Sequence, residues 1–181
     1  MQIYDAQQGY PWDPTLYYND IMIYEGLIHA TCDFYVQNGS QPQMSFRQYP
    51  TKSAYYEAIG INVNSVGQLN WGGKTFGLVP YNQWFRVQFD FALGSLNTKK
   101  FNLTITYANS TAVSYTDLAY TNPNFCVLHW VGFVSNSAVP SSYFVDNLHV
   151  YTHAPSVSIP TSISVNVGDQ IAIPVSVSKV K

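Results

Sequence analysis

A chain of 181 residues with 10% charged and 16% aromatic side chains is long enough for one sizeable core. Its formal charge of −2 leaves no basic footprint for nucleic acid, and no apolar run approaches the roughly 18 residues needed to span a bilayer. The first ten residues, MQIYDAQQGY, lack the basic and apolar regions of a signal peptide, so a secreted form would carry Met1 in place of a removed leader.

The predicted elements are strands almost throughout. LIHATCDFYV (27–36) alternates, with Ile28, Ala30, Cys32, Phe34 and Val36 on one side. QWFRVQFDF (83–91) sets Trp84, Arg86, Gln88 and Asp90 opposite Phe85, Val87, Phe89 and Phe91. FNLTITY (101–107), FCVLHWVGFV (125–134) and YFVDNLHVY (143–151) follow the same pattern. Between them lie QNGSQPQ, NWGGK, ALGSLNTKK, TNPN and SNSAVPSS, all rich in turn-forming residues. No convincing helical stripe occurs, so the fold class is all-β, an antiparallel two-sheet sandwich.

Three N-x-S/T sequons and the overall composition favour an extracellular or cell-surface location. Asn38 and Asn109 fall in turns and are the candidate glycosylation sites, whereas Asn102 lies inside a strand. Cys32 and Cys126 have no Cys-x-x-Cys spacing, which argues against zinc and thiol redox chemistry. Either they form a disulfide, for roughly 4–5 kcal/mol on the chain-entropy model, or they are two thiols packed in the sandwich.

Three stretches in order, GLIHATCDFYV, NQWFRVQFDFALGSLNTKKFNLTITY and VGFVSNSAVPSSYFVDNLHVY, carry a family resemblance. The chain resembles the concanavalin A-like, or laminin G-like, jelly roll over residues 1–154. In that pattern a Trp opens a W-x-x-V-x-F-D strand, which assigns Trp84 to the core, and a Y-x-V-D-N-x-x-V strand closes the domain. The resemblance implies that the closing strand pairs with the first, around QIYDAQ. It does not imply a function, because the fold hosts lectins, glucanases and lyases alike.

Asp146 is expected to share an inward face with Phe144, Leu148 and Val150, where a carboxylate needs partners. It either accepts backbone N–H groups from a neighbouring loop or, with Asp5, helps hold a structural Ca²⁺. No other cofactor is implied. Catalytic patterns are missing: Glu25 and Glu57 each lack the second carboxylate that glucanases of this fold place on the same strand. The arginine, histidine and tyrosine patterns of its lyases cannot be placed either. His149 and His153 would stand about 13 Å apart along an extended strand, too far to share one metal. His29 and His129 lie in strands, where packing is their expected use. These readings point to a non-catalytic module.

Carbohydrate sites on sandwiches use exposed aromatic rings flanked by amides and carboxylates. Trp71 in LNWGGKTFG, Trp12 in GYPWDPTLYY and the pair Tyr55-Tyr56 are the candidate sugar-stacking residues, with Tyr17-Tyr18 a further pair. The competing reading is that these rings cap the ends of the sandwich, and Trp130 is expected to pack.

After Tyr151 aromatics nearly vanish. ISVNVGDQIAIPVSVSKV is similar to the first strands of an immunoglobulin-like or cohesin-like module, so residues 155–181 read as a linker and the start of a truncated second module. Its unpaired strands could join a neighbouring copy by strand addition. The expected function is glycan or surface-partner binding within a longer extracellular protein. A structural or adhesive subunit pairing through its C-terminal strands is the first alternative, and a polysaccharide-active enzyme the second.

Overall fold

The computed structural model describes residues 1–6, 14–19, 21–51, 53–153, 157–158 and 176–177, so Trp12 and most of the expected second module lie outside the described residues. Alternating patterns become strands. The first sheet is built from β1 (Gln2–Asp5), β3 (Gly26–Val36), β8 (Trp84–Leu93), β9 (Lys100–Thr106), β10 (Ala112–Ala119) and β12 (Ser141–His153). The second contains β2 (Thr15–Tyr18), β4 (Pro42–Thr51), β5 (Ala54–Val63), β6 (Gln68–Trp71), β7 (Lys74–Leu78) and β11 (Trp130–Ser135). Their spatial orders are β1-β12-β3-β8-β9-β10 and β2-β11-β4-β5-β6-β7, and every pairing is antiparallel. Two further two-residue strands, β13 (Val157–Ser158) and β14 (Ser176–Val177), pair with each other.

The all-β sandwich is therefore the fold, and its closing strand β12 does pair with β1. Inward residues of the two sheets meet in an aromatic core, with the Phe46 ring edge-on to Phe89 at 5.2 Å and tilted against Phe91 at 5.3 Å. Burying each such side chain stabilises the fold by about 1.5–3 kcal/mol. An exposed ion pair contributes about 0–1 kcal/mol, so the core rather than the few charges holds the sandwich together.

Several expectations are corrected. Trp84 is not core: it is 44% exposed, on the outward face of β8 with Arg86. Asp146 is not inward either. It pairs across the ladder with Asp33 and stands exposed, because a bulge between Asp146 and His149 shifts the register by one residue. Phe144 and Asp146 therefore face outward while Val150 returns to the inner side. Asp146 accepts the backbone N–H of Asn147, whose φ of 49° marks the bulge.

Asp5 and Asp146 do not converge on one cation. Asp5 is buried opposite Ser141, five positions along β12 from Asp146, a separation of about 16 Å in extended chain. The Cys32–Cys126 bridge does not form: both are free thiols, Cys32 in the core and Cys126 at the surface. Only the second half of FCVLHWVGFV is strand, so Cys126 sits in the connection before β11.

Candidate functional site

The outward face of the second sheet departs from what water-facing strands show. β4 and β11 are buried on both faces, although β4 carries Gln43, Ser45 and Arg47 on its outward side. A β-bulge brings Glu57 to them. Phe46 pairs with Ile59, but Arg47 pairs with Glu57, so Ala58 is an extra residue on β5. Without that insertion Glu57 would face Gln48 and point into the core. The displaced Ala58 carbonyl is taken up elsewhere, accepting the Thr121 N–H at 3.0 Å and the Trp71 indole N–H at 3.4 Å.

One oxygen of Glu57 accepts three hydrogen bonds, from Gln43 Nε2 (3.1 Å), Ser45 Oγ (2.7 Å) and Arg47 Nε (2.7 Å). Its other oxygen makes no hydrogen bond among the described residues. Gln43 is itself held by Asn136, whose amide donates to Gln43 Oε1 at 3.1 Å. The Arg47 guanidinium lies over the Trp130 ring at 4.0 Å and the Tyr55 ring at 4.8 Å, a cation–π arrangement on both. Tyr17 stacks on Trp130 at 6.0 Å, and Tyr49 flanks Tyr55 at 6.0 Å. The Tyr49 N–H is accepted by His129 Nδ1 at 3.0 Å.

The first sheet carries a second polar row on its outward face, and its character differs. Arg86 donates to both oxygens of Asp33 (2.6 and 2.9 Å), Asn147 adds a third bond at 2.7 Å, and Arg86 is 48% exposed. Asp90 accepts from Gln88 at 2.8 Å and pairs with His29 Nδ1 at 2.6 Å. Here the guanidinium is half-exposed and engages its carboxylate side by side. In the Arg47–Glu57 pair the carboxylate is partly exposed, as Asp33 is, but the guanidinium is buried and incompletely satisfied, a combination that calls for an explanation beyond structure.

The structure places the sequence-derived candidates unevenly. Tyr55 borders the cluster and is 47% exposed, while Tyr56 is half-buried against the core. Trp71 is 8% exposed, inside the sandwich among Phe76, Phe101, Leu118 and Tyr120, and is not a loop platform. Of the other pair, Tyr17 covers Trp130, and Tyr18 borders an apolar cleft of about 400 Å³ with Ile21, Ile23, Val131, Leu148 and Val150. Asn38 and Asn109 are exposed in turns, and Asn102 is exposed on β9 with its side chain accepting the Asp117 N–H. Sequence reasoning missed Arg47, Gln43 and Ser45 and set Glu57 aside for lack of a partner. A cation inside PQMSFRQYP was the available signal.

No family model and no curated protein matches this chain. Solved structures do. An alginate lyase from Aplysia kurodai superposes with a TM-score of 0.56 at 10% identity, covering 84% of this chain and 82% of that one. An endo-β-1,4-glucuronan lyase from the fungus Trichoderma reesei gives 0.52 at 13% identity, over 83% and 79% of the two chains. A double mutant of alginate lyase Aly36B in complex with an alginate trisaccharide gives 0.51 at 12% identity, over 84% and 81%.

At such identities the likeness is one of fold, and it supports the concanavalin A-like sandwich read from the sequence. It also corrects the expectation of a non-catalytic module. These three proteins, among those that share the sandwich, are polysaccharide lyases, so the fold is one on which enzymes are built and gives no ground for setting catalysis aside.

Proposed function

We propose that the outward face of the second sheet holds a polysaccharide chain, with Arg47 and Glu57 at the centre and Tyr17, Tyr55 and Trp130 around them. The observation that carries this reading is the pairing of a buried Arg47 with a partly exposed Glu57. It sets hydrogen-bonding groups among aromatic rings, the combination by which proteins hold sugars. The three lyases that share the fold act on alginate or glucuronan, which supports a polysaccharide as the ligand class. Recognition is the step that a lectin and a lyase have in common, and this reading claims that step.

Affinity electrophoresis through gels containing defined polysaccharides tests it. The chain is expected to be retarded by at least one polymer, and Tyr55→Ala and Tyr17→Ala are expected to weaken retardation with little change in melting temperature. Migration unaffected by any acidic or neutral polysaccharide would sink the proposal. Incubating the retarding polymer with the protein and following the ultraviolet absorbance of unsaturated uronate ends then separates binding from cleavage.

A further inference from the structure

Arg47 is a charged donor that the fold leaves largely unused. A guanidinium offers five N–H donors. Among the described residues this one uses a single donor, Nε, toward Glu57 Oε1, and its Nη2 is buried with no hydrogen-bond partner. The side chain is only 9% exposed, and Nη2 is out of reach of water. The contrast with Arg86 is direct: there Nε and Nη2 engage the two oxygens of Asp33 side by side. Glu57 does not do the same for Arg47: its Oε1 serves Gln43, Ser45 and Nε, and no hydrogen bond joins its other oxygen to Nη2.

A buried cation facing a carboxylate whose charge is shared among three donors is under-neutralised, and an unsatisfied charged donor is costly. The acceptor that relieves it most is an anion, and the acceptor that matches a guanidinium edge is a carboxylate. Beside it, the second oxygen of Glu57 is an acceptor that a sugar hydroxyl can satisfy. One ligand residue carrying a carboxylate and a hydroxyl on the same ring fits both vacancies.

We infer that the site selects uronate-containing polysaccharide, with a sugar carboxylate received by Arg47 and a neighbouring hydroxyl donating to Glu57. The inference rests on the proposed function and narrows it. The Tyr55 side is the assigned entry: Trp130 is buried, whereas Tyr55, 4.8 Å from the guanidinium carbon, is 47% exposed and can turn about its side-chain bonds.

The test compares three polymers at one ionic strength by affinity electrophoresis. They are a polyuronate, the same polymer with its carboxyls reduced to hydroxymethyl groups, and a sulfated neutral glycan of similar charge density. The unaltered protein should bind the polyuronate at least about tenfold more tightly than either of the others, the expected scale for one charge-assisted pair. Arg47→Lys, which keeps the charge but loses the planar edge, should lose about the same factor on the polyuronate alone.

Equal binding of the reduced polymer would overturn the carboxylate assignment while leaving polysaccharide recognition standing. Equal binding of the sulfated glycan would overturn it in favour of general anion binding. Binding of none of the three would overturn both readings. Should Arg47→Lys fail to fold, the reduced-polymer comparison, made with the unaltered chain, still decides.

Discussion

Trp130 lies across Gly132, so closely that a Cβ at position 132 would fall 2.4 Å from the indole Cζ2 and 2.8 Å from the Leu16 carbonyl oxygen. The missing side chain lets the ring lie flat on β11 and lets β2 approach beside it. The ring has no room to yield, since Tyr17 stacks on it and the Arg47 guanidinium lies over it. Gly132→Ala is therefore expected to cost about 1–3 kcal/mol through overpacking and to lose polysaccharide retention with it. A variant that melts and binds like the parent would show that Gly132 does not set the ring.

Trp84 and Trp71 should exchange the behaviour that the sequence suggests for them. Trp84→Ala, on an exposed outward face, is expected to change stability by under about 1 kcal/mol. Trp71→Ala removes a ring packed in the core and should cost about 3–5 kcal/mol. Urea unfolding of both variants checks this. Similar losses in the two would contradict the placement of the rings.

Asp33 ties acid stability to one ion pair. The hydrogen bonds from Arg86 foremost, and that from Asn147, hold its carboxyl below the ordinary carboxylate value despite partial burial. A folded value below the unfolded one stabilises the fold fully above about pH 4. That contribution is lost as pH falls through the lower, folded value. Arg86→Gln should flatten this part of the stability–pH curve by lowering stability in the neutral region, modestly because the pair is partly exposed, with parent and variant converging as the pH falls. Parallel acid limbs in parent and variant would disprove the coupling.

The two thiols are expected to react at very different rates. Cys32 is buried and its thiol is pushed well above the usual range by burial first and by Asp33 second. Native alkylation followed by mass spectrometry should label Cys126 alone, with Cys32 labelled only in denaturant. Stability should be insensitive to reductant. A reductant-dependent melting temperature would mean that a bridge forms after all.

The strands were legible in the sequence where alternation was regular, as in residues 27–36 and 83–91. Alternation separates two faces but does not say which is inside. The strand-opening Trp84 was drawn to the core by resemblance, although its company on that face, Arg86, Gln88 and Asp90, is polar. The bulges were invisible. An extra residue at Ala58 puts Glu57 beside Arg47, and one after Asp146 reverses the faces of the closing strand. Both depend on tertiary pairing rather than local pattern, so Asp146 was given the wrong face by its periodicity, and Glu57 was set aside for lack of a second carboxylate when its partner was a cation across the bulge.

The spatial order of the strands also governs how the chain can acquire its shape during synthesis. β11 lies between β2 and β4, and β12 between β1 and β3, so in each sheet a late strand fills the gap between two early ones. As the polypeptide leaves the ribosome, neither β1 nor β2 has its partner until more than a hundred further residues have followed. The early hairpin β4–β5 can form at once, but the two edges must wait, unpaired and able to meet other chains. A nascent chain stopped before Trp130 thus lacks the strand that joins β2 to its sheet, and one stopped before Ser141 lacks the strand that joins β1. Closure of this sandwich is a late, long-range event, set by the last strands to be made.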